Sequence, residues 1–339
     1  MTADPILTLA WLVLAHLVAD FIVQTGKVVR AKTSPGSSGL QGLAVHAAGV
    51  ALCLVPVGLA FGASGWWVLV AITLSHVGID RTKIVLSRRA ERRALARAQR
   101  RHEGQAPAAG LGRAWTPLPA AYFALDQAAH LVVLGVAWAI LIEGQAPSAE
   151  WASAIATLVG ARDAAALHDV VMTSVVLVSL VIVNVRAGAI FVATLVRPIE
   201  AATELAESST APTTDGVVAI ERAARGPAGW SIRVGPIVGR VTADPAPTRE
   251  DGDVVGERVA LPPPAQVGGT IGVLERLLIV TFMLAGADAA IGFVVGAKTL
   301  ARFRLLDDRD FAEYYLLGTL ASVAVAILSA IIARAALQA

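Results

Sequence analysis

Long apolar runs, separated by short polar breaks, dominate the chain. Runs able to cross about 30 Å of hydrocarbon fall near residues 5–25, 40–61, 66–86, 118–142, 169–196, 269–287, 288–304 and 312–335. The pattern predicts an all-α, polytopic transmembrane helical bundle of about eight spans. Only Gly286-Ala287-Asp288 separates the sixth from the seventh, so these two can form a tight hairpin or a re-entrant pair. Residues 198–268 break the pattern: Pro, Gly, Thr, Ser and charges dominate, with one short alternating piece at Trp230-Ser231-Ile232-Arg233-Val234. That segment is expected as a linker or a small appended unit, with a mobile tract from Thr242 to Gln266. The chain thus divides into a four-helix membrane unit at 1–142, an outer loop and fifth span at 143–197, the segment 198–268, and C-terminal membrane helices at 269–339.

The polar residues inside the apolar runs carry the chemistry. Ser75-His76-Val77-Gly78-Ile79-Asp80 places a histidine and a carboxylate four residues apart, on one helix face. His16 and Asp20 repeat that spacing in the first run, Asp126 and His130 reverse it in the fourth, and His46 stands alone in the second. Counted from the helix ends at 26, 40, 86 and 118, all seven fall roughly 6–18 Å deep at 1.5 Å per residue, on the same side of the bilayer. An ionisable group there costs a few kcal/mol unless paired or coordinated. His16, Asp20, His46, His76, Asp80, Asp126 and His130 are therefore candidate ligands of one or two divalent ions, zinc first, manganese or iron as alternatives. The competing reading is a set of intramembrane His–Asp hydrogen bonds that only join helices.

Lys27 and Lys83 follow Asp20 and Asp80 on the ligand faces and are candidates for orienting an anionic substrate; snorkelling to the interface is the alternative. Gln24 and Gln127 sit on the same helices and suit either helix packing or support of the ligands. In the C-terminal third, Glu275 is expected to form a structural ion pair with Lys298 or Arg302, with anion binding as the other use. Asn184 and Arg186 are polar residues of the fifth span without an assigned partner, and His168-Asp169 is a candidate helix cap.

Composition agrees with a bilayer location. The chain is 56% hydrophobic and 16% charged, against about a quarter charged in soluble domains. A formal charge of +2 excludes a global field for nucleic acid, and the single cysteine, Cys53, excludes an internal disulfide or a cysteine zinc site. The start Met1-Thr2-Ala3-Asp4-Pro5 lacks the basic residues of a cleavable signal, so the first run is expected to be retained. Arg88, Arg89, Arg92, Arg93, Arg97, Arg100, Arg101 and Arg113 crowd the loop 87–117, and Lys27, Arg30 and Lys32 crowd the first loop. Both loops, with 198–268, are expected to be cytoplasmic, leaving the N- and C-termini outside a bacterial inner membrane.

The stretch His16-Leu17-Val18-Ala19-Asp20-Phe21-Ile22-Val23-Gln24 with Lys27, then His46, His76 with Asp80 and Lys83, and Asp126 with His130, resembles a bacterial membrane family known as domain of unknown function 3307. Similar stretches recur at Gly272–Leu278, Ala290–Phe293, Ala297-Lys298 with Arg302-Phe303, and Ala312–Thr319. The resemblance implies a shared membrane architecture and no activity.

The residues themselves point to a membrane-embedded, metal-dependent hydrolase. It would act on an anionic, phosphorylated or similar head group arriving from the cytoplasmic side, with Asp20, Asp80 or Asp126 as general base. A transporter or channel using the cluster as a cation or proton relay is the alternative. Membrane lipids are the expected surroundings, a homo-oligomer is compatible with the sequence, and no nucleic acid is expected as a specific partner.

Overall fold

The computed structural model describes residues 4–34, 36–102, 117–196, 219–222, 229–234, 237–242, 264–307 and 309–338. The chain forms two units, Met1–Ile199 with Pro263–Ala339, and Glu200–Pro262.

The first unit is helical. Helix α1 (Pro5–Val18) begins where the Asp4 carboxylate accepts from the Ile6 and Leu7 amides and Pro5 presets the first turn. It runs into a π-helical turn at Ala19–Val23 and stops at Gln24, whose backbone is extended. Thr25 then caps a separate short helix, α2 (Gly26–Lys32). Helix α3 (Ser37–His102) is one element in name and two in fact, because Gly62 adopts φ 58°, ψ −133°, which favours glycine. The arms 37–61 and 63–102 fold back on each other, and their closeness near the bend demands small residues. A Cβ at Gly58 would lie 2.8 Å from the Trp66 ring, and one at Gly65 would strike the Val57 carbonyl. Gly65→Ala is therefore expected to destabilise the fold by about 1–3 kcal/mol, as overpacking does, seen as a lower thermal midpoint. Gly135→Ala, where a Cβ meets open space, should be neutral or stabilising.

Helix α4 (Leu118–Leu141) packs along both arms of α3. Its far end leads into α5 (Ala149–Val159), capped by Ser148 and closed by Gly160 in the left-handed conformation. Ser148 donates its amide to the Ala60 carbonyl at 2.8 Å, and Trp151 stacks on Trp11 at 5.7 Å. This helix lies where an outer loop was expected. Helix α6 (Ala164–Ile182) starts on the Asp163 cap, passes through a second π turn at Val183–Ala187, and continues as α7 (Gly188–Val196). Asp163, not His168-Asp169, is thus the cap, and His168 instead lies 3.3 Å from Asp4. Helices α8 (Pro264–Leu284), α9 (Ala290–Ala301) and α10 (Arg309–Gln338) complete the unit.

Among the described residues, five runs are long and apolar enough to cross a membrane: Pro5–Val23, Ser37–Ala90, Leu118–Leu141, Ala164–Val196 and Phe311–Gln338. Gly62 makes two arms of the second. Helix α8, with 21 residues, is about 31 Å long, but α9, with 12, reaches only about 18 Å. The expected count of eight crossings differs here. Gly286 (φ 71°) and a 3-10 turn at Phe303–Leu305 cut the apolar run 288–304 at both ends, so it forms the short arm of a hairpin with α8.

Two apolar cores share α1. Leu12, Leu54, Val57, Val68, Ile72 and Leu134 join it to both arms of α3 and to α4, while Leu7, Met172, Leu180, Ile279, Ala326 and Ala330 join it to α6, α8 and α10. The outer surface is apolar as well. Leu52, Trp67, Leu74, Ile140, Leu328 and Ile332 are all exposed, an arrangement suited to lipid and costly in water.

The second unit contains strands β1 (Ala219–Arg222), β2 (Gly229–Val234) and β3 (Ile237–Thr242) in one antiparallel sheet of order β1-β2-β3. Ile232 pairs with Ile220 on one side and Gly239 on the other. The alternating piece at Trp230–Val234 is the central strand. Residues 243–263, expected as part of a mobile tract, lie outside the described residues, as do Arg113 and the side chains of Arg97, Arg100, Arg101 and His102.

Candidate functional site

The seven predicted ligands come together, although they sit on α1, its π turn, both arms of α3, and α4. His46 and His76 meet because the bend at Gly62 brings residues equally far along the two arms face to face. Their Nε2 atoms are 2.9 Å apart. Asp20 Oδ1 completes a triangle with them, 3.4 Å from His46 Nε2 and 3.2 Å from His76 Nε2. Asp80, one turn beyond His76, places Oδ2 3.4 Å from His46 Nε2. His76 is 1% exposed and Asp80 2%. Donor atoms bound to one tetrahedral ion at 2.0–2.1 Å are about 3.3 Å apart. The two edges to Asp20, 3.4 and 3.2 Å, match that figure, while the His46–His76 edge, 2.9 Å, is a hydrogen-bond length.

A second set lies beside the first. His16, Asp20 and His130 each offer an atom within 4.8 Å of the other two. His130 Nδ1 is 2.8 Å from the Asp126 carbonyl oxygen, which can only accept, so Nδ1 carries the proton and Nε2 presents a lone pair. That Nε2 is buried without a hydrogen-bond partner among the described residues, as is Asp20 Oδ1. Asp20 faces both sets, Oδ1 towards His46 and His76, and Oδ2 towards His16 at 3.9 Å. The rings are contiguous, with centroids 4.9 Å apart for His46 and His76, 4.1 Å for His76 and His130, and 4.9 Å for His130 and His16.

Two lysines compensate two of the three carboxylates. Lys83 Nζ lies 2.6 Å from Asp126 Oδ2, as a ligand-face position allows. Lys27 is exposed, and no ion pair joins it to the cluster among the described residues. The other partner is Lys32, buried, with Nζ 2.7 Å from Asp80 Oδ2 and 2.6 Å from Gln24 Oε1. Three carboxylates less two ammonium groups leave one negative charge, on Asp20, when the imidazoles are neutral. Gln127 supports the centre, its Oε1 3.3 Å from His16 Nε2 and its Nε2 3.4 Å from Asp20 Oδ2 and 3.1 Å from Asp126 Oδ2. The sequence does carry a signal for Lys32: Thr25-Gly26 is a cap and a helix start, which ends the face that Lys27 would share with Asp20.

A cleft of about 460 Å³ opens between the second arm of α3 and α4, lined by Ser75, Thr82, Lys83, Tyr122 and Asp126 among others. The Lys83–Asp126 pair therefore stands between the cleft and the histidines. In the C-terminal helices, Lys298 pairs with Glu275 at 2.5 Å, whereas Arg302 lies over the Tyr315 ring at 5.7 Å instead of on Glu275. Asn184 is buried and donates to the Leu180 carbonyl and Ser329 Oγ, while Arg186 is exposed.

Residues 8–159 match the family described as protein of unknown function (DUF3307). The matched stretch ends at Val159, the last residue of α5, and contains all seven clustered residues with Lys32, Lys83, Gln24 and Gln127. Glu275, Lys298 and Arg302 lie beyond the matched stretch. No curated protein and no solved structure matches the chain.

Proposed function

We propose that the protein is an integral membrane, metal-dependent hydrolase whose centre lies in the stretch that matches DUF3307. One observation carries this reading: Asp20 Oδ1, His46 Nε2 and His76 Nε2 stand 2.9–3.4 Å apart, buried, on three separate helical segments. That spacing lets two imidazoles and the one carboxylate without a lysine share a cation; hydrogen bonds among the three groups are the competing use. Asp20, His46 and His76, with Asp80, would hold a first ion, zinc by donor type with manganese or iron as alternatives, and His16, Asp20 and His130 would hold a second. Bound there, the metal supplies a water of lowered pKa and Lewis acidity.

The chain's own groups have distinct tasks. Lys32 fixes Asp80, and Gln127 fixes Asp20 and His16. Asp126 suits a general base because Lys83 holds Oδ2 while Oδ1 has no hydrogen bond among the described residues. An anionic head group entering the cleft draws Lys83 away from Asp126, which orients the substrate and frees the base together. Among the described residues, Lys27 and Arg30 on α2 and Arg88, Arg89, Arg92 and Arg93 on the second arm of α3 lie beyond Asp20 and Asp80 along the chain, so by the positive-inside rule that end of the bundle is cytoplasmic. Asp4 and the end of α10 then face outward.

Purified protein is expected to carry zinc, manganese or iron in stoichiometric amount by elemental analysis, and to release head group from an anionic phospholipid until treated with a chelator. Metal-free protein that stays metal-free after each ion is added back would sink the reading. The contiguous imidazoles favour one second reading, a proton or cation relay. Proton flux in vesicles by such metal-free protein would support it.

A further inference from the structure

The C-terminal helices hold a cavity that the hydrolase reading does not use. It measures about 340 Å³ and lies among α7, α8, α9 and α10, within the range of small-ligand sites, roughly 300–1,000 Å³. Arg276, Lys298 and Arg302 line it, with Tyr315, Thr319 and Ser322. Arg276 is 2% exposed, and its contacts are neutral: Nε donates to the Asn184 carbonyl at 2.7 Å and Nη1 to Ser322 Oγ at 3.0 Å. Among the described residues no carboxylate pairs with it, because the Glu275 carboxylate next to it is taken by Lys298 at 2.5 Å. Among the described residues, three cations and no carboxylate line the cavity, and the nearby Glu275 offsets one of them.

A buried guanidinium in a lipid-facing bundle is costly without a counter-anion. This one has five N–H donors, of which the described contacts occupy two. Tyr315, 9% exposed, adds a hydroxyl with no hydrogen-bond partner among the described residues. A planar fork, a flexible ammonium and hydroxyl donors together suit a phosphate group. Gly269, which lines the cavity, is exposed, and Arg302 is partly so.

We propose that this cavity is a phosphate-binding site, taking either the phosphodiester of an anionic lipid or a soluble phosphate, with Arg276 and Arg302 as its principal donors and Lys298 shared between the ligand and Glu275. The site lies outside residues 8–159 and does not depend on the metal centre.

The test uses the full chain in detergent, reconstituted in nanodiscs of phosphatidylglycerol or of phosphatidylcholine, with bound lipid counted by native mass spectrometry after detergent exchange. A parallel arm measures the thermal shift of lipid-free protein on adding inorganic phosphate. Two variants spare the buried core: Arg302→Ala removes one donor, and Gly268→Leu, whose Cβ would lie 3.8 Å from Arg302 Nη2, places bulk beside that donor. Retention of phosphatidylglycerol over phosphatidylcholine, reduced about tenfold in both variants as expected for loss of a charge-assisted contact, identifies the lipid phosphodiester. A phosphate-induced shift that both variants lose, without selective lipid retention, identifies a soluble phosphate. Absence of both effects, or effects that survive in both variants, overturns the proposal.

Discussion

Replacing His76 by alanine is expected to lower metal affinity by at least about 100-fold, more than the loss of a supporting residue alone. His76 Nε2 is 2.9 Å from His46 Nε2 and 3.2 Å from Asp20 Oδ1, so its removal takes one corner from the triangle and leaves Asp20, His46 and Asp80, one donor short of a closed tetrahedral set. The fold should survive, because alanine suits the helix and removes a buried polar ring. Chelation separates the metal from the scaffold. At a hundredfold excess of ion over Kd, wild-type protein gains about 2.7 kcal/mol, which appears as a thermal midpoint that falls with chelator and returns with zinc. His76→Ala should lose the first set's part of that response and keep only what the second ion contributes. His16→Ala should behave differently, since His16 belongs to the second set: the metal count drops from two to one and the zinc-dependent shift persists. A zinc shift unchanged in His76→Ala would remove the triangle from the argument.

The cluster was legible because the helices around it are almost wholly apolar. In that background, four histidines and three aspartates at matched depth are the exceptions, and the bilayer sets a common level that a soluble core lacks. What the sequence hides is where a helix stops. Lys27 shares a face with Asp20 only if the first helix continues, and it ends at Gln24 after a π turn. A π turn leaves no mark on hydrophobic periodicity. The cap at Thr25 did leave one, and it reads as a polar loop to any count that looks only for apolar runs. Helix α5 escaped for a related reason: eleven residues are too few for a span, and its Ser148 and Gly160 boundaries look like turn residues. The seventh apolar run shows the opposite error. Composition alone joins residues 288–304, but Gly286 at φ 71° and the turn at Phe303–Leu305 shorten it to α9. The sheet at 219–242 was visible only at its central strand: β1 is four residues long and carries both signs of charge, and Gly239 interrupts the apolar run of β3.

Lys32→Met is expected to be the most destabilising single change outside the histidines, by about 3–5 kcal/mol, the usual effect of removing one partner of a buried ion pair. Asp80 is 2% exposed and its Oδ2 lies 2.7 Å from Lys32 Nζ; methionine keeps the volume and removes the charge. The carboxylate then has no cation among the described residues and must protonate or draw water into the bundle. Asp80→Asn on the same background should recover most of the loss, because two neutral groups no longer oppose burial. This double-mutant cycle isolates the pair from effects on packing. Lys27→Met, five residues earlier and exposed, should change the midpoint by less than about 0.5 kcal/mol. The same comparison separates the two lysines in function. Lys32→Met should weaken metal binding through a disordered Asp80, while Lys83→Met should leave metal bound and reduce turnover, because Lys83 reaches Asp126 from the cleft. If Lys27→Met proved the more damaging of the two, α2 would have to turn the other way, and the assignment of Asp80 as a held ligand would fall with it.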